Sequence, residues 1–96
     1  MRPLRWTEHA VADLEGIAEF VGRTSAVYAE GVILRIEQRL QLVREHPGLG
    51  KPAAEADDPT VRELVVAPHR VFYRELDGAI EVLTIVHGRQ MLPDDL

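Results

Sequence analysis

Apolar residues recur along the chain with two different periods, and the change of period divides it into a helical half and a strand half. From Glu8 to Val21 the residues Ala10, Leu14, Ile17, Ala18 and Val21 return at helical spacing, while Asp13, Glu15 and Glu19 fall mostly on the other side. Thr7 stands where an N-cap is needed, and the charge of Glu8 suits the positive end of the helix dipole. Gly22 stops this first helix, with Arg23 close enough to favour its last carbonyls. Ser25 caps a second helix whose stripe is Ala29, Val32, Ile33, Ile36, Leu40 and Val43; Glu30, Arg35, Glu37, Gln38, Arg39 and Arg44 lie largely away from it. His46-Pro47-Gly48 ends the second helix, because proline cannot continue the ladder and restricts the residue before it. The short link Gly22–Thr24 forces an antiparallel helical hairpin, and neither helix can bury its stripe without a second layer. Val27 and Tyr28 fall off the main stripe and form a candidate contact patch.

The second half carries β-branched and aromatic runs. Val61–Val66, Arg70–Leu76 and Ala79–His87 read as three strands, the first two joined through Ala67-Pro68-His69. Asp77-Gly78 between the last two is a strong hairpin signal, since a type I′ turn needs positive φ at both central residues. Leu4-Arg5-Trp6 reads as a short edge strand. Residues 49–60, with Gly50, Pro52, Pro59 and the acids Glu55, Asp57 and Asp58, show no periodicity and are expected to be a mobile loop. The tail from Gln90 to Leu96, through Pro93-Asp94-Asp95, is expected to fray. The order is β-α-α-β-β-β: an α+β fold, one domain over residues 1–96, with a helical hairpin packed on a small, mainly antiparallel sheet.

A two-residue hairpin loop fixes the facing pairs of the last two strands. Arg74 faces Glu81, Tyr73 faces Val82, Phe72 faces Leu83 and Arg70 faces Ile85. Alternation then puts Arg70, Phe72, Arg74, Glu81, Leu83, Ile85 and His87 on one face, and Val71, Tyr73, Glu75, Ile80, Val82, Thr84 and Val86 on the other, which is the cleaner core face. A β-bulge would change that parity.

Composition narrows the function. The formal net charge is −5, with ten Arg and one Lys on the basic side. A sequence-independent nucleic-acid binder is usually basic overall, so direct DNA binding is not expected, although a local basic patch on the sheet is compatible with this balance. There is no cysteine, hence no disulfide or thiolate metal site, which fits a cytoplasmic protein. No apolar run has the length of a signal peptide or of a membrane span. No cofactor is implied: the histidines His9, His46, His69 and His87 lack metal-ligand spacing, and no glycine-rich phosphate loop is present.

Chemistry concentrates on the strands. An Arg–His cluster on one sheet face suits phosphate: Arg offers a planar fork and His exchanges protons near neutrality. In ribonuclease chemistry His or Glu would act as base while Arg steadies the phosphorane charge. The alternative is structural, with Arg74–Glu81 a cross-strand ion pair worth at most about 1 kcal/mol and His87 a strand-end residue bonded locally.

Several local motifs follow one another in an order that resembles the RelE/ParE superfamily of bacterial type II toxin–antitoxin toxins, over almost the whole chain. They are Trp6-Thr7-Glu8…Ala10…Asp13-Leu14…Ile17…Phe20, then Pro47…Gly50, Arg62-Glu63-Leu64, His69-Arg70-Val71-Phe72-Tyr73-Arg74 and Ile85-Val86-His87-Gly88-Arg89. Position 69 is His where the motif usually has Tyr, and position 90 is Gln where a second basic residue often follows Arg89. The resemblance implies the β-α-α-β-β-β toxin fold and a cognate antitoxin that wraps the toxin. It also implies one of two activities. ParE-like members, associated with plasmid stabilization, inhibit DNA gyrase by binding and are not enzymes; RelE-like members cleave mRNA on the ribosome. Acidic balance, a single Lys and a tail without an aromatic resemble the ParE branch more closely. On that branch the expected partner-binding residues are Arg70, Arg74, His87, Arg89, Met91 and Leu92. On the nuclease branch Arg62, Arg70 and His87 would be catalytic, with Arg70 on the scissile phosphate and His87 in proton transfer. A third alternative is an inactive member that serves in an autoregulatory complex with its antitoxin.

Overall fold

The structure is a computed structural model that describes residues 1–93. Its elements are β1 (Leu4–Trp6), α1 (Glu8–Gly22), α2 (Ala26–Glu45), β2 (Lys51–Pro52), β3 (Arg62–Val66), β4 (His69–Leu76) and β5 (Ala79–His87). They form an α+β fold in which the helical hairpin covers one face of a five-stranded sheet of order β1-β5-β4-β3-β2. The sheet is antiparallel except at β1, which runs parallel to β5 along one edge.

Each helix begins where its cap residue is. The Thr7 hydroxyl accepts the Ala10 N–H at 3.1 Å, and the Ser25 hydroxyl accepts the Tyr28 N–H at 3.1 Å. The stripe of α2 is the better buried: Val32, Ile36, Leu40 and Val43 are fully enclosed against Val71, Tyr73, Ile80 and Val82 of the sheet. Burying an aliphatic side chain of this size contributes about 1.5–3 kcal/mol, so these positions hold the two layers together. The α1 helix is seated along the edge of β5 by its polar residues. Thr7 bonds Val82 C=O through its own N–H (3.1 Å) and its hydroxyl (2.8 Å), and the Asp13 carboxylate accepts the Ile85 N–H at 3.0 Å and the Thr84 hydroxyl. These contacts satisfy the β5 backbone beyond the end of β1, where no strand is available.

The hairpin turn is as expected, with φ of +53° at Asp77 and +75° at Gly78. The register is not. The facing pairs hold from Leu76–Ala79 to Tyr73–Val82, then slip: Phe72 faces Thr84, Val71 faces Ile85, and His69 faces His87. Leu83 is the extra residue of a β-bulge. The expected face assignment therefore fails beyond it. Ile85 joins Val71 and Tyr73 in the helix-side core, whereas Val86 joins Phe72 and Leu83 on the opposite face. His87 moves with Ile85, away from the face of Arg70. The bulge brings Ile85 to Val71 and Tyr73 on the helix side and Val86 to Phe72 and Leu83 on the other, so each apolar cluster is completed by a residue that strict alternation would place on the opposite face.

Residues 49–60 also differ from expectation. Lys51 and Pro52 pair with Glu63 and Arg62 as an additional strand, and the segment then folds across the second face of the sheet. Ala53 and Val61 bury there with Phe72, Leu83 and Val86, and Ala56 and Leu92 pack on the same cluster. The sheet is thus covered on both sides, by helices on one and by this strap and the tail on the other. Of the tail expected to fray, Gln90–Pro93 is described, with Leu92 packed on the second cluster and Met91 exposed; residues 94–96 lie outside the described residues.

Candidate partner-binding surface

Arg62, Arg70 and Arg74 of the strands are engaged within the protein. Arg62 donates to Gly50 C=O at 2.7 Å. Arg74 bridges Glu81 and Asp58, each at 2.9 Å. The guanidinium of Arg70 stacks 5.2 Å from the Phe72 ring centroid, pairs with Glu55 and with Glu63 (3.1 Å), and donates to Gln90 C=O at 2.7 Å. Bonding to Glu55 and then Glu63 raises its pKa further, while Thr60, ahead of Arg74, holds Asp58 below the usual carboxylate range. Arg62 faces Tyr73 and so lies on the helix side of the sheet, while Arg70 lies over Phe72 on the other. Nothing converges Arg62, Arg70 and His87 on one point.

His87 instead meets His69. Their rings stand edge to face, 5.5 Å apart at 87°. His69 is buried, and its Nδ1 has no hydrogen-bond partner among the described residues. Burial lowers its pKa, helped by the nearby His87 and Arg35, so the ring is neutral at neutral pH. After β5 the chain turns tightly: Gly88 N–H bonds Pro68 C=O at 2.7 Å, Gln90 N–H bonds His87 C=O at 2.7 Å, and the Gln90 side chain returns to the His87 N–H at 3.1 Å. This turn delivers Leu92 to the second core and leaves Arg89 and Met91 exposed. Of the expected partner-binding residues, Arg70, Arg74 and Leu92 are structural supports, and His87, Arg89 and Met91 are accessible.

One concave surface among the described residues was visible in the sequence only in part. A groove of about 680 Å³ runs between α1, the start of α2 and the open end of β4 and β5, floored by Ile17, Val32 and Ile85 and closed at one end by the His69–His87 pair. Phe20 stands on its rim with 72% of its surface exposed, and Tyr28 with 55%. Exposed aromatics around an apolar floor mark an interaction surface. Tyr28 and Val27 were legible as off-stripe residues. Phe20 was not, because its exposure depends on where the hairpin ends relative to the sheet. Among the described residues there is no group of three potential metal ligands and no helix long and apolar enough to cross a membrane.

Comparison with known proteins agrees with this architecture. Residues 4–92 match the family model for the ParE toxin of the type II toxin–antitoxin system parDE. The chain is 33% identical over 92 residues to Toxin RelE2 of Caulobacter vibrioides, covering 95% of this chain and all of that protein. It is 30% identical over 95 residues to Y4kP of Sinorhizobium fredii, covering 97% and 95% of the two chains. A solved structure of the chromosomal ParDE system from P. aeruginosa superimposes with a TM-score of 0.75 at 26% identity, covering 91% of this chain and 96% of that one. The chain belongs to the ParE toxin family of type II toxin–antitoxin systems, within the RelE/ParE superfamily.

Proposed function

We propose that this toxin acts by binding rather than by cutting RNA: it arrests DNA gyrase in the cytoplasm, and a cognate antitoxin restrains it by laying an apolar segment into the α1–α2 groove. The observation that carries the reading is the state of the arginines. A phosphodiesterase needs cations free to meet the scissile phosphate and a proton-transfer group beside them. Here Arg70 and Arg74 are paired with carboxylates, Arg62 donates to Gly50 C=O, and His87 lies at the groove end beside His69. What remains open to a partner is the groove with Phe20 and Tyr28, together with the exposed His87, Arg89 and Met91. Exposed aromatics of two adjacent helices beside an apolar groove suit a polypeptide ligand.

Expression of the chain without an antitoxin tests this. Early loss of DNA synthesis, with inhibition of gyrase supercoiling by the purified protein, is the expected result. Early translation arrest with cut transcripts overturns it in favour of ribosome-dependent mRNA cleavage. Normal growth at full expression overturns it in favour of an inactive member that serves in an autoregulatory complex.

A further inference from the structure

His69 and His87 close one end of the groove, and no acidic group of the protein answers them. His69 is buried, and its enclosed Nδ1 has no partner among the described residues, although buried polar atoms are nearly always paired. His87 engages Gln90 through its backbone N–H. Its ring stands edge to face against His69 and forms no ion pair among the described residues. Arg35 of α2 lies near enough for its charge to act on the His69 ring. It too makes no ion pair with a carboxylate among the described residues. The related motif usually has Tyr at position 69, so the pairing of two imidazoles here is not part of the motif pattern.

Apart from Asp13, the cavities about this pair are lined by cationic, neutral and apolar side chains. Asp13 belongs to the groove but is committed there: it accepts from Ile85 N–H at 3.0 Å and from the Thr84 hydroxyl, and it stands 3.6 Å from His9. The depression on the far side of the two rings is lined by Arg70 and Arg89 and holds no acid; the one at Arg35 adds Gln38 and Arg39. A chain of net charge −5 thus keeps one end of an apolar groove without a carboxylate to spare. Two imidazoles with arginines about them are poor ligands for a metal cation. They suit an anion, because imidazolium and guanidinium both donate charge-assisted bonds to a carboxylate.

We propose that the His69–His87 end of the groove, with Arg35, is a carboxylate-binding subsite that seats an acidic side chain of the polypeptide filling the groove. The ligand's apolar body lies on Ile17, Val32 and Ile85, and its carboxylate reaches the two rings. The carboxylate stays ionised, and the imidazole pair takes one proton from solvent as it seats. Binding therefore tightens as pH falls through the interval between the bound and free pKa values, by up to about tenfold per pH unit for one proton. The other titratable groups that face the pair are Asp13 of α1, Tyr28 and Arg39 of α2, Arg70 of β4 and Arg89 after β5. The inference rests on the toxin reading only in taking the groove's occupant to be a polypeptide, and it can fail while gyrase arrest holds.

The test follows the ring protons of His69 and His87 by NMR in the full chain. Hexanoate is the probe, with 1-hexanol as its neutral and hexylamine as its cationic counterpart. Hexanoate is expected to raise the titration midpoints of both rings and to bind more tightly as pH falls, whereas hexanol binds independently of pH. Arg35→Gln and His87→Gln, at exposed positions, are expected to cut the preference for hexanoate over hexanol about threefold or more and to leave hexanol binding unchanged. Equal binding of hexanoate and hexanol, preference for hexylamine, or absence of binding by any probe overturns the subsite. Two amphipathic peptides that differ only in Glu or Gln at the end of the apolar face test the source. The Glu peptide is expected to bind roughly tenfold more tightly and to lose that advantage in His87→Gln. Equal affinity of the two peptides, with hexanoate still preferred, overturns the polypeptide source in favour of a small carboxylate. Supercoiling inhibition by the parent chain is read separately, so either result can fail without the other.

Discussion

Tyr73 and Gly50 meet so closely that residue 50 has no room for a side chain: a Cβ there would lie 2.8 Å from the Tyr73 hydroxyl, 2.8 Å from its ring edge and 2.8 Å from Glu63 C=O. The contact is a hydrogen bond, Gly50 N–H to the Tyr73 hydroxyl at 2.8 Å, and the same hydroxyl donates to Pro47 C=O at 2.8 Å. Arg62 completes the arrangement on Gly50 C=O. Pro47, Gly50, Arg62 and Tyr73 are thus one staple that fastens the end of α2 to the middle of the sheet. Tyr73→Phe leaves a buried donor and acceptor without partners and is expected to cost about 1–3 kcal/mol in urea unfolding. Gly50→Ala is expected to cost more, because one of the atoms it meets is backbone and cannot swing aside. A Gly50→Ala variant as stable as the parent would show that the segment simply shifts.

Much of this architecture was legible because it is local. The caps at Thr7 and Ser25, the α2 stripe and the Asp77-Gly78 turn each depend on a few neighbouring residues, and each is where periodicity and turn chemistry put it. The bulge at Leu83 was not legible, since both registers satisfy the hairpin turn and only packing of Phe72 against Leu83 and Val86 decides between them. The engagement of Arg70 by Glu55 joins residues far apart in a segment without periodicity, so the strands suggested a cationic site where the fold has an internal ion-pair network. Motif order identified the family, but the physical role of the motif residues emerged only from three-dimensional contacts. Asp13, for instance, reads as a surface acid of α1 until its bonds to β5 are seen.

That bond set gives a second prediction. Asp13 accepts from Ile85 N–H and the Thr84 hydroxyl at a point where the sheet edge has no further strand. Asp13→Ala removes a charge-assisted acceptor and leaves both donors partly buried, at an expected cost of about 1.5–3 kcal/mol. Faster exchange of the Ile85 amide relative to amides in β4 would localise the loss to this edge. Uniform acceleration across the sheet would show that Asp13 acts on global stability instead.

His69 makes stability depend on pH. Burial, then His87 and Arg35, lower its folded pKa from 6.5. The unfolded chain therefore binds the proton more readily between the two values, and stability rises with pH through that interval. The contribution is complete above about pH 6.5 and is lost as pH falls through 6.5 toward the folded pKa. His69→Gln is expected to flatten this part of the stability–pH curve, measured by urea midpoint at a series of pH values. An unchanged slope would assign the dependence to other groups.

Arg70 ties the strap and the tail to one face of the sheet, through Glu55 and Glu63 on one side and Gln90 C=O on the other. Arg70→Lys keeps the charge but lacks the planar fork that reaches both sides. It is expected to cost about 1–3 kcal/mol and to speed proteolysis after Gly88, with little change in the helices. Protection of the tail in the Lys variant would mean that Leu92 packing alone holds it.

On the proposed reading, neutralisation at the groove is separable from folding, because the rim residues Phe20 and Tyr28 carry no load in the fold. Phe20 is 72% exposed and Tyr28 is 55% exposed, so charge at either position is expected to change stability by no more than about 0.5 kcal/mol. A buried aromatic anchor at an interface, by contrast, is typically worth 2 kcal/mol or more. Phe20→Glu would place a carboxylate against the apolar floor of Ile17 and Val32, so any partner helix must either leave that anchor pocket or desolvate the charge. The variant is expected to fold normally, to remain toxic when expressed alone, and to escape rescue by co-expressed antitoxin, with complex formation weakened about thirtyfold or more by the arithmetic of a 2 kcal/mol anchor. Full rescue of Phe20→Glu by antitoxin would move the antitoxin contact elsewhere, whereas loss of toxicity in the uncomplexed variant would place the target contact in the groove itself.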